Sequence, residues 1–241
     1  MYQSMSEGHT CQNRILARLS AEEYASIAPR LELVRTQLKE VLYERGRPIS
    51  YVYFPCSSAH SNLIMLENGS AVEVGTVGNE GLSGVELLIG ASTAIETGIC
   101  QVAGTSLRMS AHDFRAAVKG KTALRLLAER YFHGYLSQVS QSVACNRMHT
   151  IVQRFARWLL IMHDRVRGEE FSLTQEFLAT MLGVHRPSVS MVAGEFQKAG
   201  LIEYTRGQMK IVDRTMLEQI SCECYGIVRA EFEKALGMPL G

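Results

Sequence analysis

Residues 48–107 contain five glutamates but no Lys or Arg, and within this stretch short apolar runs alternate as in β-strands. Glycines recur between and after these runs. Asn68-Gly69 lies between the apolar runs 63–66 and 71–77, which is typical of a tight hairpin turn. Many short strands with glycine turns predict a β-barrel or a β-sandwich in the first half of the chain.

Charge and composition limit the classes of protein to which this chain can belong. Residues 108–241 hold 18 of the 25 basic residues, and the formal net charge of the whole chain is +1. This balance excludes a polybasic, histone-like protein but leaves room for one basic surface that binds nucleic acid. The chain contains no apolar run of about 18 residues, so no membrane span is predicted. The first twenty residues lack the apolar segment of a secretion signal, so we expect a cytoplasmic protein.

Beyond residue 111 the apolar spacing becomes that of α-helices. Two adjacent stripes lie on one predicted helix: Leu124, Leu127, Tyr131 and Tyr135, then Phe132, Leu136, Val139 and Val143. Together they cover about half of the helix circumference, more than one core contact needs. We therefore expect a long helix over 121–143, ending at 145–147, that packs against its own barrel and against a second copy of the chain. The alternative is a helix wedged inside its own domain.

A second helix is predicted to start near Thr150 and to end at Gly168. Its apolar residues recur at intervals of three and four, and three arginines fall outside that stripe. The apolar positions are Ile151, Phe155, Trp158, Met162 and Val166, and the arginines are Arg154, Arg157 and Arg165.

The segment 172–212 has the spacing of a helix-turn-helix. Thr174 can cap a first helix over 175–181, and Pro187 suits the first turn of a second helix. Between the two helices, Gly183 permits the turn.

The predicted core of this motif follows the same spacing. Ala179 is small enough to let the two helices approach, and Val189 locks the second helix onto the first. Two short strands, 202–205 and 208–212, then surround Arg206-Gly207 and predict a wing.

A helix of this kind can enter the major groove of DNA. Arg186 lies outside the buried stripe and can pair with a guanine, while side chains at helix N-termini can meet phosphates. The wing tip can reach an adjacent phosphate. The predicted DNA-binding residues are Thr174, His185, Arg186, Ser188, Ser190, Met191 and Arg206.

These features resemble the Crp/Fnr family of bacterial transcription regulators over nearly the whole chain. The landmarks are residues 41–46 and 52–55, the glycines Gly69, Gly75, Gly78, Gly81 and Gly84, and the helix-turn-helix residues 183–189. The resemblance implies an α+β fold with an N-terminal β-roll of the cyclic-nucleotide-binding type, a long dimerisation helix and a C-terminal winged helix. The expected divisions are 1–120, 121–147 and 148–220, followed by a C-terminal tail over 221–241.

The same resemblance implies the partners. Family members are typically homodimers, joined through the long helix, that bind double-stranded DNA at a palindromic operator, and RNA polymerase is a further expected partner. Arg186 falls on the recognition arginine of the family. Pro187 stands where relatives often carry a glutamate, and Met191 where many carry a second base-reading arginine. We therefore expect an operator different from that of the cyclic-AMP receptor.

The effector pocket departs further from the family pattern. Its candidate residues are Glu80, Gly81, Gly84 and Glu86, which echo the ribose-binding part of the family's cassette. Relatives that bind cyclic nucleotides carry an arginine for the phosphate further along, whereas residues 92–97 contain none. A buried phosphate without a cation is costly. Cyclic AMP and cyclic GMP are therefore not expected ligands, and the effector is left open.

No metal, cofactor or catalytic site is assigned from the sequence. The six cysteines, which are Cys11, Cys56, Cys100, Cys145, Cys222 and Cys224, are expected to be reduced, buried or incidental thiols. Cys222-Glu223-Cys224 is the one close pair and could hold a metal or sense oxidation, but a single Cys-x-Cys is a weak signal. With Cys11 alone before Cys56, the N-terminal iron–sulfur cluster of one family branch is not expected.

The sequence gives little support for haem binding or for catalysis. His9, His60 and His112 are formal haem-ligand candidates but are expected to be ordinary surface or loop histidines. No catalytic triad, carboxylate pair or phosphate loop stands out, so an enzyme is not expected. The alternative function is a ligand-binding or protein-interaction module whose winged helix docks a protein rather than DNA.

Overall fold

The computed structural model describes residues 11–166 and 170–237 of the 241-residue chain. Its first half is built from antiparallel strands in two sheets, ordered β1-β7-β3 and β2-β6-β4-β5. The strands are β1 (Glu32–Thr36), β2 (Val41–Tyr43), β3 (Tyr51–Pro55), β4 (Ala59–Met65), β5 (Ala71–Val77), β6 (Thr97–Val102) and β7 (Gly104–Ser110). This is the predicted N-terminal β-roll.

The hairpin between β4 and β5 forms at the predicted turn. The amide of Leu66 donates to the carbonyl of Ser70, and Gly69 lies in the left-handed region with φ +81°. A residue other than glycine would be strained there. The strand β5 has the predicted bounds. Strand β4 begins four residues earlier and ends one residue earlier than the apolar run at 63–66, and its added residues are Ala59 and three buried polar residues at 60–62.

The N-terminal segment is tied to the roll. Asn13 donates its Nδ2 hydrogens to the carbonyls of Pro55 and Gly81, and Cys11 forms a disulfide with Cys56. The expectation of incidental reduced thiols is therefore wrong for these two cysteines. The long-range hydrogen bonds of Asn13 bring them together, and sequence spacing carries no trace of such contacts.

Helices precede and follow the strands of the roll along the chain. Helix α1 (Ala21–Ile27) starts with a capping box between Ser20 and Glu23, and α2 (Ala111–Ala117) is capped by Ser110. Helix α3 (Ala123–Met148) is capped by Thr122 and continues through the predicted stop at 145–147. The stop was wrong because those residues carry no helix-breaking glycine or proline.

The two apolar stripes of α3 differ in burial. Leu124, Leu127, Tyr131 and Tyr135 are buried in the core of the roll. On the second stripe, Leu136 is 53% exposed and Val143 is 69% exposed, while Phe132 and Val139 are partly buried. One stripe of α3 thus faces the roll, and much of the second faces solvent in the single chain.

Beyond α3 the chain folds into a second unit. Its elements are α4 (Ile151–Arg165), β8 (Glu170–Ser172), α5 (Gln175–Leu182), α6 (Arg186–Lys198), β9 (Ile202–Thr205), β10 (Gln208–Ile211) and α7 (Arg214–Ile220). The three strands form a sheet ordered β8-β10-β9. The hairpin of the predicted wing is present, and β8, which the sequence analysis missed, adds an outer strand. Helix α4 ends at Arg165, with Val166 as its C-cap residue, which is earlier than the predicted end at Gly168; Gly168 itself lies outside the described residues.

Arg154, Arg157 and Arg165 fall outside the apolar stripe of α4, yet all three are buried. Helix α4 is enclosed on this face too, since Arg154 donates to the carbonyl of Leu182 in α5 and Arg165 contacts Glu80 of the roll. Across this contact the indole of Trp158 donates to Glu73 Oε1 in β5 at 3.1 Å. The two units therefore share buried polar contacts as well as apolar ones.

The last helix, α8 (Cys224–Leu236), returns to α3. The rings of Tyr131 and Phe232 stack with centroids 5.9 Å apart. Gly134 permits this approach, since a Cβ there would lie 2.8 Å from the Phe232 ring. Much of the predicted tail is thus a helix packed against the core. Among the described residues, no helix is both long and apolar enough to span a membrane.

Candidate nucleic-acid interface

The first helix of the motif, α5, begins as predicted. The Oγ1 atom of Thr174 accepts a hydrogen bond from the amide of Phe177 at 3.2 Å, which satisfies one free donor of the helix end. The hydroxyl hydrogen of this exposed residue remains available to a partner outside the helix.

The turn between α5 and α6 depends on Gly183. Its φ of +60° is left-handed, and its amide donates to the carbonyl of Thr180, which closes α5. His185 then precedes α6 as its N-cap residue, with Pro187 in the first turn. Val189 is buried as predicted, and Val192 and Phe196, which follow it at intervals of three and four, are buried as well. The turn thus delivers the N-terminus of α6 to the surface.

Four side chains at this surface and at the wing are exposed. We call them the exposed head, and they are His185, Arg186, Met191 and Arg206. Met191 is 58% exposed although it is apolar. Ser188 is half-buried on the same helix. The side chains predicted to contact DNA are therefore largely presented to solvent.

Ser190 is arranged differently from its neighbours. Its hydroxyl lies within hydrogen-bond distance of Gln175 Oε1 in α5 and of the carbonyl of Arg186, at 3.2 Å in the second case. In this structure it links α6 to α5 instead of pointing outward. Any base contact by Ser190 would require these bonds to break.

The wing tip turns at Arg206 and Gly207, which have φ values of +52° and +80°. These left-handed residues suit the tight turn of a two-residue hairpin. Burial raises the pKa of Tyr204 in β9, and the positive charge of Arg186 opposes that rise. The start of α6 and the wing are therefore close enough to interact electrostatically.

A cleft of about 800 Å³ separates the head from the roll. It is lined by the β4–β5 hairpin on one side and by α5 and the start of α6 on the other, including Arg186. At its edge, a Cβ on Gly183 would lie 3.2 Å from Val72 Cγ2. The turn of the helix-turn-helix therefore rests against β5.

The predicted effector residues are buried inside the roll, where Glu80 pairs with a cation, whereas Oε2 of Glu80 and Oε1 of Glu86 have no hydrogen-bond partner among the described residues. Glu80 is 1% exposed, and its Oε1 pairs with Nε of Arg165 at 2.7 Å. Arg165 also donates to Gln138 Oε1. The cation that the stretch 48–107 lacks is thus supplied by α4, and it neutralises Glu80.

Aromatic rings occupy the space beside the predicted pocket. A Cβ on Gly81 would lie 2.0 Å from Cε2 of Tyr131, so the ring lies directly on the glycine. Gly84 has φ +85° and is followed by a short 3-10 turn that carries the buried Glu86. The role of Tyr131 in filling this space could not be predicted from sequence, because its helical spacing is that of any core residue.

A second polar network lies on the same side of α3. The hydroxyl of Tyr135 donates to Glu96 Oε2 at 2.6 Å, and Asn62 joins this hydroxyl to that of Tyr43. Burial raises the pKa of Glu96 to about 7. This carboxyl is held among hydroxyl and amide groups rather than beside a cation.

The two described haem candidates, His60 and His112, lie on different elements and differ in burial. His60 was expected at the surface, but it is fully buried in β4, where its Nδ1 lies 2.9 Å from Ser83 Oγ. Burial lowers the pKa of His60 to about 3, so it is neutral. His112 is exposed on α2, and His9 lies outside the described residues.

Comparison with known proteins supports this architecture. Residues 153–220 match the family model of the Crp-like helix-turn-helix domain. None of the curated proteins compared with the chain matches it in sequence.

Solved structures match nearly the whole chain at low identity. FixK2 from Bradyrhizobium japonicum has a TM-score of 0.69 and 15% identity, covering 80% of this chain and 98% of its own. A putative Crp/Fnr-family transcriptional regulator from Eubacterium rectale has a TM-score of 0.65 and 17% identity, covering 86% and 96%. A CooA mutant from Carboxydothermus hydrogenoformans has a TM-score of 0.62 and 17% identity, covering 90% and 99%. The chain thus carries a Crp-like helix-turn-helix domain within the fold of Crp/Fnr-type regulators.

Proposed function

We propose that the protein is a sequence-specific DNA-binding transcription regulator that acts as a homodimer on a roughly palindromic operator. The observation that carries this proposal is the exposure of Arg186 in the first turn of α6. The N-terminal residues of a recognition helix are those that reach base edges in the major groove. A guanidinium there can pair with a guanine through two hydrogen bonds.

The rest of the motif supports contacts to the DNA backbone. His185 and Thr174 lie at the N-termini of α6 and α5, where amide groups and the helix dipole favour phosphate. Arg206 extends from the wing tip and can reach a neighbouring phosphate. Such contacts position the protein, and Arg186 gives sequence discrimination.

The exposed stripe of α3 supports a dimer. Leu136 and Val143 lie two turns apart on one face of a helix that is already packed on the roll through its other stripe. Burying such apolar side chains against a second copy is favourable. In a twofold dimer the two α6 helices can meet half-sites about one helical turn of DNA apart.

The buried interior of the roll supports a regulator that does not bind cyclic AMP. A cyclic phosphate needs a cation, and the nearest one to Glu80 is Arg165, which is already paired with it. The Tyr131 ring also lies against Gly81. Titration of the full chain with cyclic AMP in a calorimeter is expected to give no binding heat, and saturable binding would contradict this part of the proposal.

The experiment that tests the DNA proposal is selection of binding sites from random duplex DNA by the full chain. We expect a twofold-symmetric sequence to be enriched, with affinity that falls steeply as salt increases. Retention of all duplexes alike, with no enriched motif, would overturn the proposal of sequence-specific binding.

The dimer is tested separately by sedimentation. The Leu136→Asp variant is expected to sediment as a monomer, because it places a charge in the proposed helix–helix contact. The matched control is Leu33→Asp on the exposed face of β1, which is expected to leave the dimer unchanged. A wild-type chain that is monomeric at micromolar concentration would contradict the proposed dimer.

A further inference from the structure

Four potential metal ligands meet where α3 ends and α8 begins. They are Cys145, His149, Cys222 and Cys224, and their ligand atoms all lie within 4.8 Å of one another. The Sγ atoms of Cys145 and Cys222 are 3.5 Å apart, and Sγ of Cys224 is 3.5 Å from Nδ1 of His149. The three cysteines are buried and the histidine is half-buried.

The spacing of these atoms fits one tetrahedral ion. Zinc bonds thiolate sulfur at about 2.3 Å and imidazole nitrogen at about 2.0–2.1 Å. A tetrahedron with such bonds has edges of about 3.5–3.8 Å, close to the two measured distances. An iron–sulfur cluster would hold its cysteines further apart, because several iron and sulfide atoms lie between them.

The groups around the four ligands are those that support a metal site. Glu223 Oε2 lies 3.2 Å from Nε2 of His149, so the ring is oriented with Nδ1 toward the cysteines. Metal-bound histidines commonly donate their second nitrogen to a carboxylate in this way. On the other side, Gln141 Nε2 donates to Sγ of Cys224 at 3.2 Å. A thiolate accepts such a bond better than a thiol does.

The charge of the surroundings points to an anionic cluster. Arg154 and Arg157 of α4 are buried and interact electrostatically with these cysteines. The Nε atom of each has no hydrogen-bond partner among the described residues. Three thiolates and one imidazole around a divalent ion carry a net charge of −1, which suits a site beside these two cations.

We propose that Cys145, His149, Cys222 and Cys224 bind one structural Zn²⁺ ion. Three thiolates and one imidazole form a closed set, with no position left for a substrate, as in structural zinc sites. Soft sulfur ligands in this geometry favour zinc over magnesium or calcium.

The zinc joins three parts of the chain. It fixes the last turn of α3, the residue His149 that leads into α4, and the start of α8. The ion therefore holds the junction through which α3 connects to the helix-turn-helix unit. Cys222 and Cys224 form a recognisable close pair in sequence, but the two other ligands lie some 75 residues earlier, and sequence spacing does not connect them.

Metal content of the full chain is the first test. The protein is produced in medium with added Zn²⁺, purified with a reductant, and measured by elemental analysis. We expect about one zinc per chain. Replacement by Co²⁺ is expected to give the intense visible bands of a tetrahedral site and near-ultraviolet absorption from thiolate-to-cobalt charge transfer.

Variants then assign the ligands. Cys224→Ser is expected to lose at least tenfold in zinc affinity, whereas Cys100→Ser, a buried free cysteine outside the cluster, is expected to keep one zinc. His149→Cys retains four ligands and is expected to bind Co²⁺ with stronger charge-transfer absorption. Because the cobalt spectrum of the wild type is read without any substitution, the proposal stays testable even if one variant fails to fold.

Several results would overturn the proposal. They are less than a tenth of an equivalent of zinc with no tetrahedral cobalt spectrum, stoichiometric iron and sulfide in place of zinc, and a Cys145–Cys222 disulfide found by mass spectrometry in the reduced, zinc-supplied protein. Equal zinc loss in Cys224→Ser and Cys100→Ser would also count against it.

Discussion

Polar side chains differ in exposure between the exposed head and the interior of the roll. In the head, His185, Arg186 and Arg206 are exposed. In the roll, Glu80 and Glu96 are buried, and each is hydrogen-bonded to a partner that is itself buried. Partners outside the molecule can therefore reach the exposed head, whereas these buried side chains of the roll contact buried partners and stabilise the fold.

Resemblance to a family site and the contacts that a residue makes in the structure are two different kinds of evidence for function. The family's sensor position was inferred from Glu80, Gly81, Gly84 and Glu86, but in this chain two of these four contact Arg165 and Tyr131. Arg165 and Tyr131 thus occupy part of the family's sensor position, although Oε2 of Glu80 and Oε1 of Glu86 have no hydrogen-bond partner among the described residues. Substitutions in the interior should therefore change stability, and those in the head should change DNA recognition.

The largest effect is expected from breaking the Glu80–Arg165 pair. Arg165→Ala leaves a buried carboxylate without its cation and is expected to reduce the free energy of unfolding by about 3–5 kcal/mol. Chemical denaturation measures this loss. The control is Arg125→Ala, which removes the exposed pair with Glu129 and is expected to cost less than about 1 kcal/mol. Equal losses in the two variants would contradict a tightly coupled interior.

The next effect concerns the ring that lies on Gly81. Gly81→Ala places a methyl group against Tyr131, which stacks between Tyr135 and Phe232 and has little room to move. We expect a loss of about 1–3 kcal/mol in thermal or denaturant unfolding. Gly194→Ala meets open space within α6 and is expected to be neutral or stabilising by up to about 1 kcal/mol. A stable Gly81→Ala protein would show that the pocket can open.

In the head the expected change is in recognition alone. Arg186→Ala is expected to lose about 1–3 kcal/mol of discrimination between the selected operator and a scrambled duplex, with unchanged unfolding. Fluorescence anisotropy measures both affinities. Arg35→Ala, which removes an exposed arginine of β1, serves as the control. If Arg186→Ala kept the full preference, another residue would have to read the bases.

The last effect, similar in size to the previous two, is a pH dependence from Glu96. Burial raises the pKa of this carboxyl to about 7, from 4.5 for an unperturbed group, so the folded state holds its proton to higher pH. Its contribution to stability is complete below about pH 4.5 and is lost as the pH rises through about 7.

Glu96→Gln keeps an acceptor for Tyr135 and removes this titration. Relative to wild type, its free energy of unfolding is expected to rise between about pH 5 and about pH 8 by on the order of 1–3 kcal/mol. The low pKa of His60 gives an opposite slope below about pH 6.5, but it is common to both proteins. A constant difference across this range would contradict a shifted carboxyl.

Local patterns predicted the winged helix well. Thr174 caps a helix through its side chain, while Gly183 and Pro187 favour a turn and a helix start through their own backbone conformations. Their roles can therefore be predicted from sequence. Strand β9 has its predicted bounds, and the predicted second wing strand is one residue longer than β10.

Long-range contacts could not be read in the same way. Arg165 lies outside an apolar stripe and looks like a solvent-facing residue until Glu80 is placed beside it. The Cys11–Cys56 disulfide and the burial of His60 likewise depend on partners that are distant in sequence. Periodicity reports which face of an element is apolar, but it carries no information on which polar groups will meet inside.

The return of α8 onto α3 has a consequence for how the protein is made. Tyr131 and Gly134 leave the ribosome long before Phe232, the side chain that covers them, has been synthesised. Until then the growing polypeptide exposes an apolar helix face that a chaperone or a neighbouring nascent chain can bind. Translation of the final helix is therefore the step that completes this part of the fold.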